Sequence, residues 1–147
     1  MLRCRGIRGA TTVERNTAED ILEATRELFL TLVAANDLIP DEVASIIFTT
    51  TVDLNATFPA AAVREHGWTG VPLLNSHEMN VPGSLDRVIR VLVHYNTEKP
   101  ADAIRHVYLR RAVQLRPEWA YDVSSADGSA GHDAPEGART NGRSEHR

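Results

Sequence analysis

The chain has 147 residues, 42% of them hydrophobic and 24% charged, with a formal net charge of −4. That length suits one domain around one hydrophobic core, and the slightly acidic balance gives no bulk attraction to nucleic acid or to an anionic membrane. The single cysteine, Cys4, excludes an internal disulfide; with no signal peptide or long apolar run, the chain is expected in the cytoplasm and not in a membrane.

In chain order, the segment LRCRGIRGATTV alternates and holds β-branched residues, which predicts a strand through about Val13. Gly6 and Gly9 flank Ile7-Arg8, and glycines in a strand mark a bulge or a close backbone approach. The next segment, NTAEDILEATRELFLTLVAAN, has a capping residue in Asn16 or Thr17 and acids three residues on. Ile21, Leu22, Leu28, Phe29, Leu32 and Val33 then share one helical face, and Asn36 is the expected stop. VASIIFTT (43–50) reads as a strand, TVDLNATFP as a loop, and PAAAVREHG as a short helix ending at Gly67. VPLL (71–74) reads as a short strand, Val81 to Ser84 as a turn, and Val88 to Tyr95 as a strand. A loop with a helical turn (98–105), a short strand HVYL and a helical segment RRAVQL ending before Arg116-Pro117 complete the folded part.

The domain is expected to span residues 1–123. Residues 124–147 contain no Ile, Leu, Val, Phe, Trp or Tyr, so burial cannot offset their ordering entropy and they read as a disordered tail. The element order β-α-β-α-β-β-β predicts an α+β or mixed α/β fold, a five-stranded sheet with one long helix. One helix cannot cover both faces of such a sheet, and subunit association is the simplest cover for the other.

The polar residues give the functional pattern. Fifteen arginines accompany a single lysine, Lys99. Codon bias is the plain reading for most of them, but a few stand where a purely structural chain would avoid them. Arg90 interrupts the apolar run VIRVLV. A buried unpaired charge costs roughly several kcal/mol, so Arg90 faces water, has an internal partner, or awaits an external anion. Arg8 sits between glycines at the end of the first strand, Arg64 in the Ala-rich helix, and Arg116 before a proline. Glu78 lies in the polar stretch NSHEMN, and Tyr108 offers a hydroxyl on an apolar strand. Together these suggest a cationic pocket with one acid and one phenol, fit for a small, multiply anionic molecule. The histidines lack metal-ligand spacing, no phosphate-binding or nucleotide-binding motif is present, and no nucleophile has a base beside it. Any catalysis would therefore be electrostatic stabilisation and restraint.

The stretches RGIRGATTVERNTAEDI, FPAAAVRE, GWTGVPLLNSHEMNVPGSLDRVIRV and RHVYLRRAVQLRP, in this order, resemble the small monofunctional bacterial chorismate mutases of the trimeric type, the AroH class. The similarity runs from about residue 4 to Pro117. It implies a pseudo-α/β-barrel homotrimer like that of the Bacillus enzyme, with sites in clefts between subunits, no cofactor and no metal. The implied reaction converts chorismate to prephenate, toward phenylalanine and tyrosine, by an intramolecular Claisen rearrangement. The implied catalytic residues are Arg90, Glu78 and Arg8. By resemblance, Arg90 contacts the ether oxygen and a carboxylate, Arg8 with Tyr108 binds a carboxylate, and Glu78 contacts the ring hydroxyl. Asn75 stands at a hydroxyl-contacting position, with Leu74 beside it for backbone contacts. Phe58, Ala60, Leu73 and Leu115 are implied apolar walls, and Arg64 and Arg116 implied cations at the entrance. Ala61 stands where some members carry lysine, so one cation near the mouth is missing. In related enzymes the residues after the last helical segment fold over the site, which here would be Arg116 to Tyr121. A non-catalytic trimer sensing an anionic metabolite would use the same pocket, and turnover discriminates the two. A nucleic-acid module is disfavoured by the net charge and by the lack of an aromatic stacking platform.

Overall fold

The apolar alternation of the sequence builds one mixed sheet in the computed structural model, which describes residues 1–121. The expected boundary at residue 123 and the tail beyond it lie outside the described residues. β1 (Arg3–Thr12), β2 (Val43–Thr50), β3 (Leu73–His77), β4 (Val88–Thr97) and β5 (Val107–Tyr108) lie in the order β3-β2-β4-β1-β5. β4 runs antiparallel to both neighbours, while β3 is parallel to β2 and β5 is parallel to β1. The strand with the apolar run 88–93, broken only by Arg90, thus takes the central place, where both of its edges are paired.

α1 (Ala18–Asn36) starts at Thr17, whose hydroxyl accepts the Asp20 amide at 3.1 Å, and ends at Asp37 in the left-handed conformation, φ 53°. Its apolar stripe, Ile21, Ala24, Leu28, Phe29 and Leu32, is buried against the sheet. Gly9 makes this approach possible. A Cβ there would lie 2.9 Å from Val91 and 3.1–3.2 Å from Leu28 and Leu32. The short α2 (Ala61–Glu65) packs beside α1, and Trp68 just after it sets its ring edge-on to Phe29 at 4.9 Å. Among the described residues no helix is long and apolar enough to cross a membrane.

Side chains paired across strands share a sheet face. The register therefore puts Ile7, Phe48, Asn75, Ile89 and Val91 on the face under α1, and Arg8, Ile47, Thr49, Leu74, Arg90 and Leu92 on the other. Among the described residues, the second face is covered only at its β1–β5 end. There the 3₁₀ turns Arg110–Gln114 and Pro117–Trp119 fold back so that Ala112, Leu115 and Trp119 pack on Ala10 and Tyr108.

Two strands differ from their sequence pattern. β3 starts at Leu73 instead of Val71 and continues through Asn75, Ser76 and His77. It is an edge strand held by main-chain bonds to β2, so its polar side chains do not interrupt it. β5 is reduced to Val107–Tyr108, although the Leu109 amide still bonds the Ala10 carbonyl at 2.9 Å.

Candidate active site

The register puts Arg90 opposite Thr49 on β2 and Ala10 on β1, on the face that α1 leaves open. Just past β3, the Glu78 amide donates to the Thr50 carbonyl at 2.9 Å, which extends the pairing of β2 and β3 by one bond and aims the Glu78 side chain at Arg90. Arg90 Nε donates to Glu78 Oε1 at 3.1 Å, and the Thr49 hydroxyl donates to Glu78 Oε2 at 2.7 Å. The Arg90 side chain is 33% exposed and that of Glu78 is 16% exposed, so the pair is reachable. It borders an open cavity of about 500 Å³ walled by Thr49, Glu78, Met79, Val81, Asp86 and Arg90. A smaller cavity of about 230 Å³ shares Arg90 and Thr49 and adds Arg8, Ile47 and Leu92. Of the settings open to Arg90, the structure combines two: an internal acid and an open cleft. The guanidinium meets Glu78 through Nε, and its terminal amino groups have no partner among the described residues. Such a cation can bind an anion and donate hydrogen bonds to charge that develops during a reaction.

Arg8 joins Arg90 at the smaller cavity, and its backbone N–H donates to His106 Nδ1 at 3.0 Å. The Trp119 ring lies 4.0 Å from that imidazole, and the Arg116 guanidinium sits 3.6 Å above Trp119. Burial, and after it the positive charges of Arg116 and Arg8, hold the His106 pKa below its usual value. Arg116 also pairs with Glu118 at 2.6 Å. Tyr108 is 1% exposed beneath Trp119, with Leu115 packed against the same cluster. Neither lines the Arg90 cavities.

The remaining expected residues form a second group. Phe58 and Asn75 border a separate cavity of about 450 Å³ with Leu54, Pro59 and His77. Asn75 Oδ1 accepts the Ala60 amide at 3.0 Å, which fixes the entry into α2. Ala60 is fully buried and Leu73 packs on the core, and neither lines these three cavities. Leu74 points from the open face and is 59% exposed; Arg64 and Ala61 lie on α2, the first exposed and the second half-buried. Asn75 and Arg90 therefore occupy opposite faces of the sheet within one chain. Thr49 belongs to the site but was not singled out in the sequence, because a threonine in a strand is ordinary. Its one signal is the register, which sets it across from Arg90.

Comparisons with known proteins bear on the family and the fold. Residues 4–119 match the family model described as chorismate mutase type I. Chorismate mutase AroH of Thermus thermophilus is 56% identical over 115 residues, covering 78% of this chain and 94% of the relative. Chorismate mutase AroH of Bacillus subtilis (strain 168) is 49% identical over 115 residues, covering 78% of this chain and 91% of the relative. Among solved structures, the chorismate mutase Cth-682 from Clostridium thermocellum superposes with a TM-score of 0.74 at 49% identity, covering 76% of this chain and 99% of that one. The mixed sheet with its single long helix is the fold the sequence predicts, and the chain belongs to the type I chorismate mutase family.

Proposed function

We infer that the chain rearranges chorismate to prephenate, an isomerase step of phenylalanine and tyrosine biosynthesis, with Arg90 at the centre of the chemistry. The observation that carries the reading is the Arg90–Glu78 pair at the edge of an open cavity, with the terminal guanidinium groups unpartnered among the described residues. The rearrangement is intramolecular and needs neither a covalent intermediate nor a proton transfer. Its barrier falls when the dicarboxylate is held in its compact shape and when the breaking C–O bond finds a hydrogen-bond donor. Arg90 supplies that donor at the ether oxygen. Arg8 binds a carboxylate beside it, and Glu78 accepts the ring hydroxyl while orienting Arg90.

The site is completed by a neighbouring copy in a homotrimer. Three observations support this. The sheet face carrying Arg90 is open over β2, β3 and β4; Leu74 stands exposed on it; and Phe58 and Asn75 lie at a cavity that shares no lining residue with that of Arg90. A second chain can bring its Phe58–Asn75 cavity against the Arg90 cleft and enclose the substrate from both sides. Cytoplasmic residence is part of the same proposal, in keeping with the lone Cys4.

The direct test mixes the purified chain with chorismate alone and follows chorismate loss. Turnover well above the uncatalysed rate is expected. Loss no faster than that rate overturns the reading, and stoichiometric binding without conversion would mark a sensor. Arg90→Lys keeps the charge but removes the planar fork, so it is expected to lose most of the rate.

A further inference from the structure

The Glu78 carboxylate is held at both oxygens. Oε1 accepts Arg90 Nε at 3.1 Å and Oε2 accepts the Thr49 hydroxyl at 2.7 Å, while the Glu78 backbone is fixed by its amide bond to Thr50. A carboxylate and a guanidinium left to themselves favour the two-point, fork-to-fork arrangement. That arrangement would turn one terminal amino group of Arg90 toward Glu78 and away from the cavity. Here the Thr49 hydroxyl fixes the rotation of the carboxylate through Oε2, and Glu78 meets Arg90 through Nε alone. Thr49 is suited to this part. It stands directly across from Arg90 in the β2–β4 register. Its β-branched side chain has little χ1 freedom in a strand, so the hydroxyl is held in one direction. It also borders both of the cavities described above at Arg90, and Oε2 has no other protein partner among the described residues.

We propose that Thr49 is a positioning residue for the rearrangement: its hydroxyl fixes the orientation of the Glu78 carboxylate, so that Glu78 holds Arg90 by Nε and leaves both terminal amino groups facing the substrate. The inference rests on the reading that Arg90 and Glu78 line the reacting site. It deepens that reading by assigning a residue that acts through Glu78. Without the hydroxyl, Glu78 rotates to grip Arg90 at two points, and the donor needed as the C–O bond breaks is drawn aside. The loss is felt in the transition state more than in the bound substrate.

The test uses the full chain with Thr49→Val, Thr49→Ser and Glu78→Ala, the double variant Thr49→Val/Glu78→Ala, and Arg90→Ala as a control. Each is compared with wild type in thermal unfolding and assembly state. Thr49→Val is expected to lower kcat about 10-fold with KM changed less than about 2-fold, the pattern of an interaction made chiefly in the transition state. Thr49→Ser, which keeps the hydroxyl, is expected to restore most of kcat. In the Glu78→Ala background, Thr49→Val is expected to add no further loss, because the path through Glu78 is already cut. Thr49→Ala gives the same reading if valine distorts the strand. An unchanged kcat in Thr49→Val and Thr49→Ala overturns the proposal, as does a full loss that persists without Glu78. If Arg90→Ala and Glu78→Ala leave turnover intact, the underlying reading of the site fails. If they impair it and Thr49→Val does not, the positioning role alone fails.

Discussion

A guanidinium survives in the apolar run of β4 because the strand turns it to the open face and Glu78 meets it there. The flanking Ile89 and Val91 point the other way, into the core under α1. His106 shows a second use of charge at this scale. The neutral ring accepts the Arg8 amide, and the cations Arg8 and Arg116 face it from β1 and from the C-terminal turns, with Glu118 paired to Arg116. Burial, then those cations, lower its pKa from the ordinary 6.5. The folded chain therefore binds this proton less tightly than the unfolded chain does. His106 costs nothing well above the ordinary value, and stability falls as pH drops through and below it. The wild-type melting temperature is expected to fall between about pH 7 and pH 5, near the histidine range. The fall should be smaller in His106→Asn, whose side-chain oxygen still accepts the Arg8 amide. Equal slopes in thermal melts would show that His106 carries none of the dependence.

Among the elements, the seam between β1 and α1 leaves no room for a side chain at Gly9. Gly9→Ala forces a methyl into the space of Val91, Leu28 and Leu32, and overpacking of this kind costs about 1–3 kcal/mol. Gly6→Ala on the same strand meets only the tip of Leu92 at 3.6 Å and is expected to cost much less. Urea unfolding of both variants checks the contrast, and equal midpoints would contradict it. The same seam shows what was legible beforehand. The cap at Thr17, the stripe of α1, the alternation of β1 and the apolar run of β4 are signals that local sequence carries. The sequence pattern starts β3 two residues early because an edge strand is held by main-chain bonds, which leave no hydrophobic pattern over Asn75, Ser76 and His77. Arg90 was legible because a charge in an apolar strand is costly. Thr49 was not, because its role depends on which residue lies across from it. The separation of Asn75 from Arg90 onto opposite faces needs the sheet register, which no single segment contains.

For the whole molecule, the two cavities make a statement about assembly that mixing can test. Arg90→Ala damages one group and Phe58→Ala with Asn75→Ala damages the other, so each variant alone is expected to be strongly impaired. Unfolded together in equal amounts and refolded, a trimer with sites between copies regains both intact groups at about one quarter of its sites, by random assortment across its interfaces. Activity should recover toward that fraction, whereas sites built within single chains would show none. Light scattering of the wild type should give three times the chain mass. The central claim, however, is that an arginine donor at the breaking bond carries the rearrangement. Its most direct measurement is kcat for chorismate loss by Arg90→Ala beside wild type, with substrate saturating and the fold checked by circular dichroism. A fall of about 10²–10³, the effect of removing one preorganised donor to developing charge, is the predicted result, and a folded Arg90→Ala chain that turns over at the wild-type rate would contradict it.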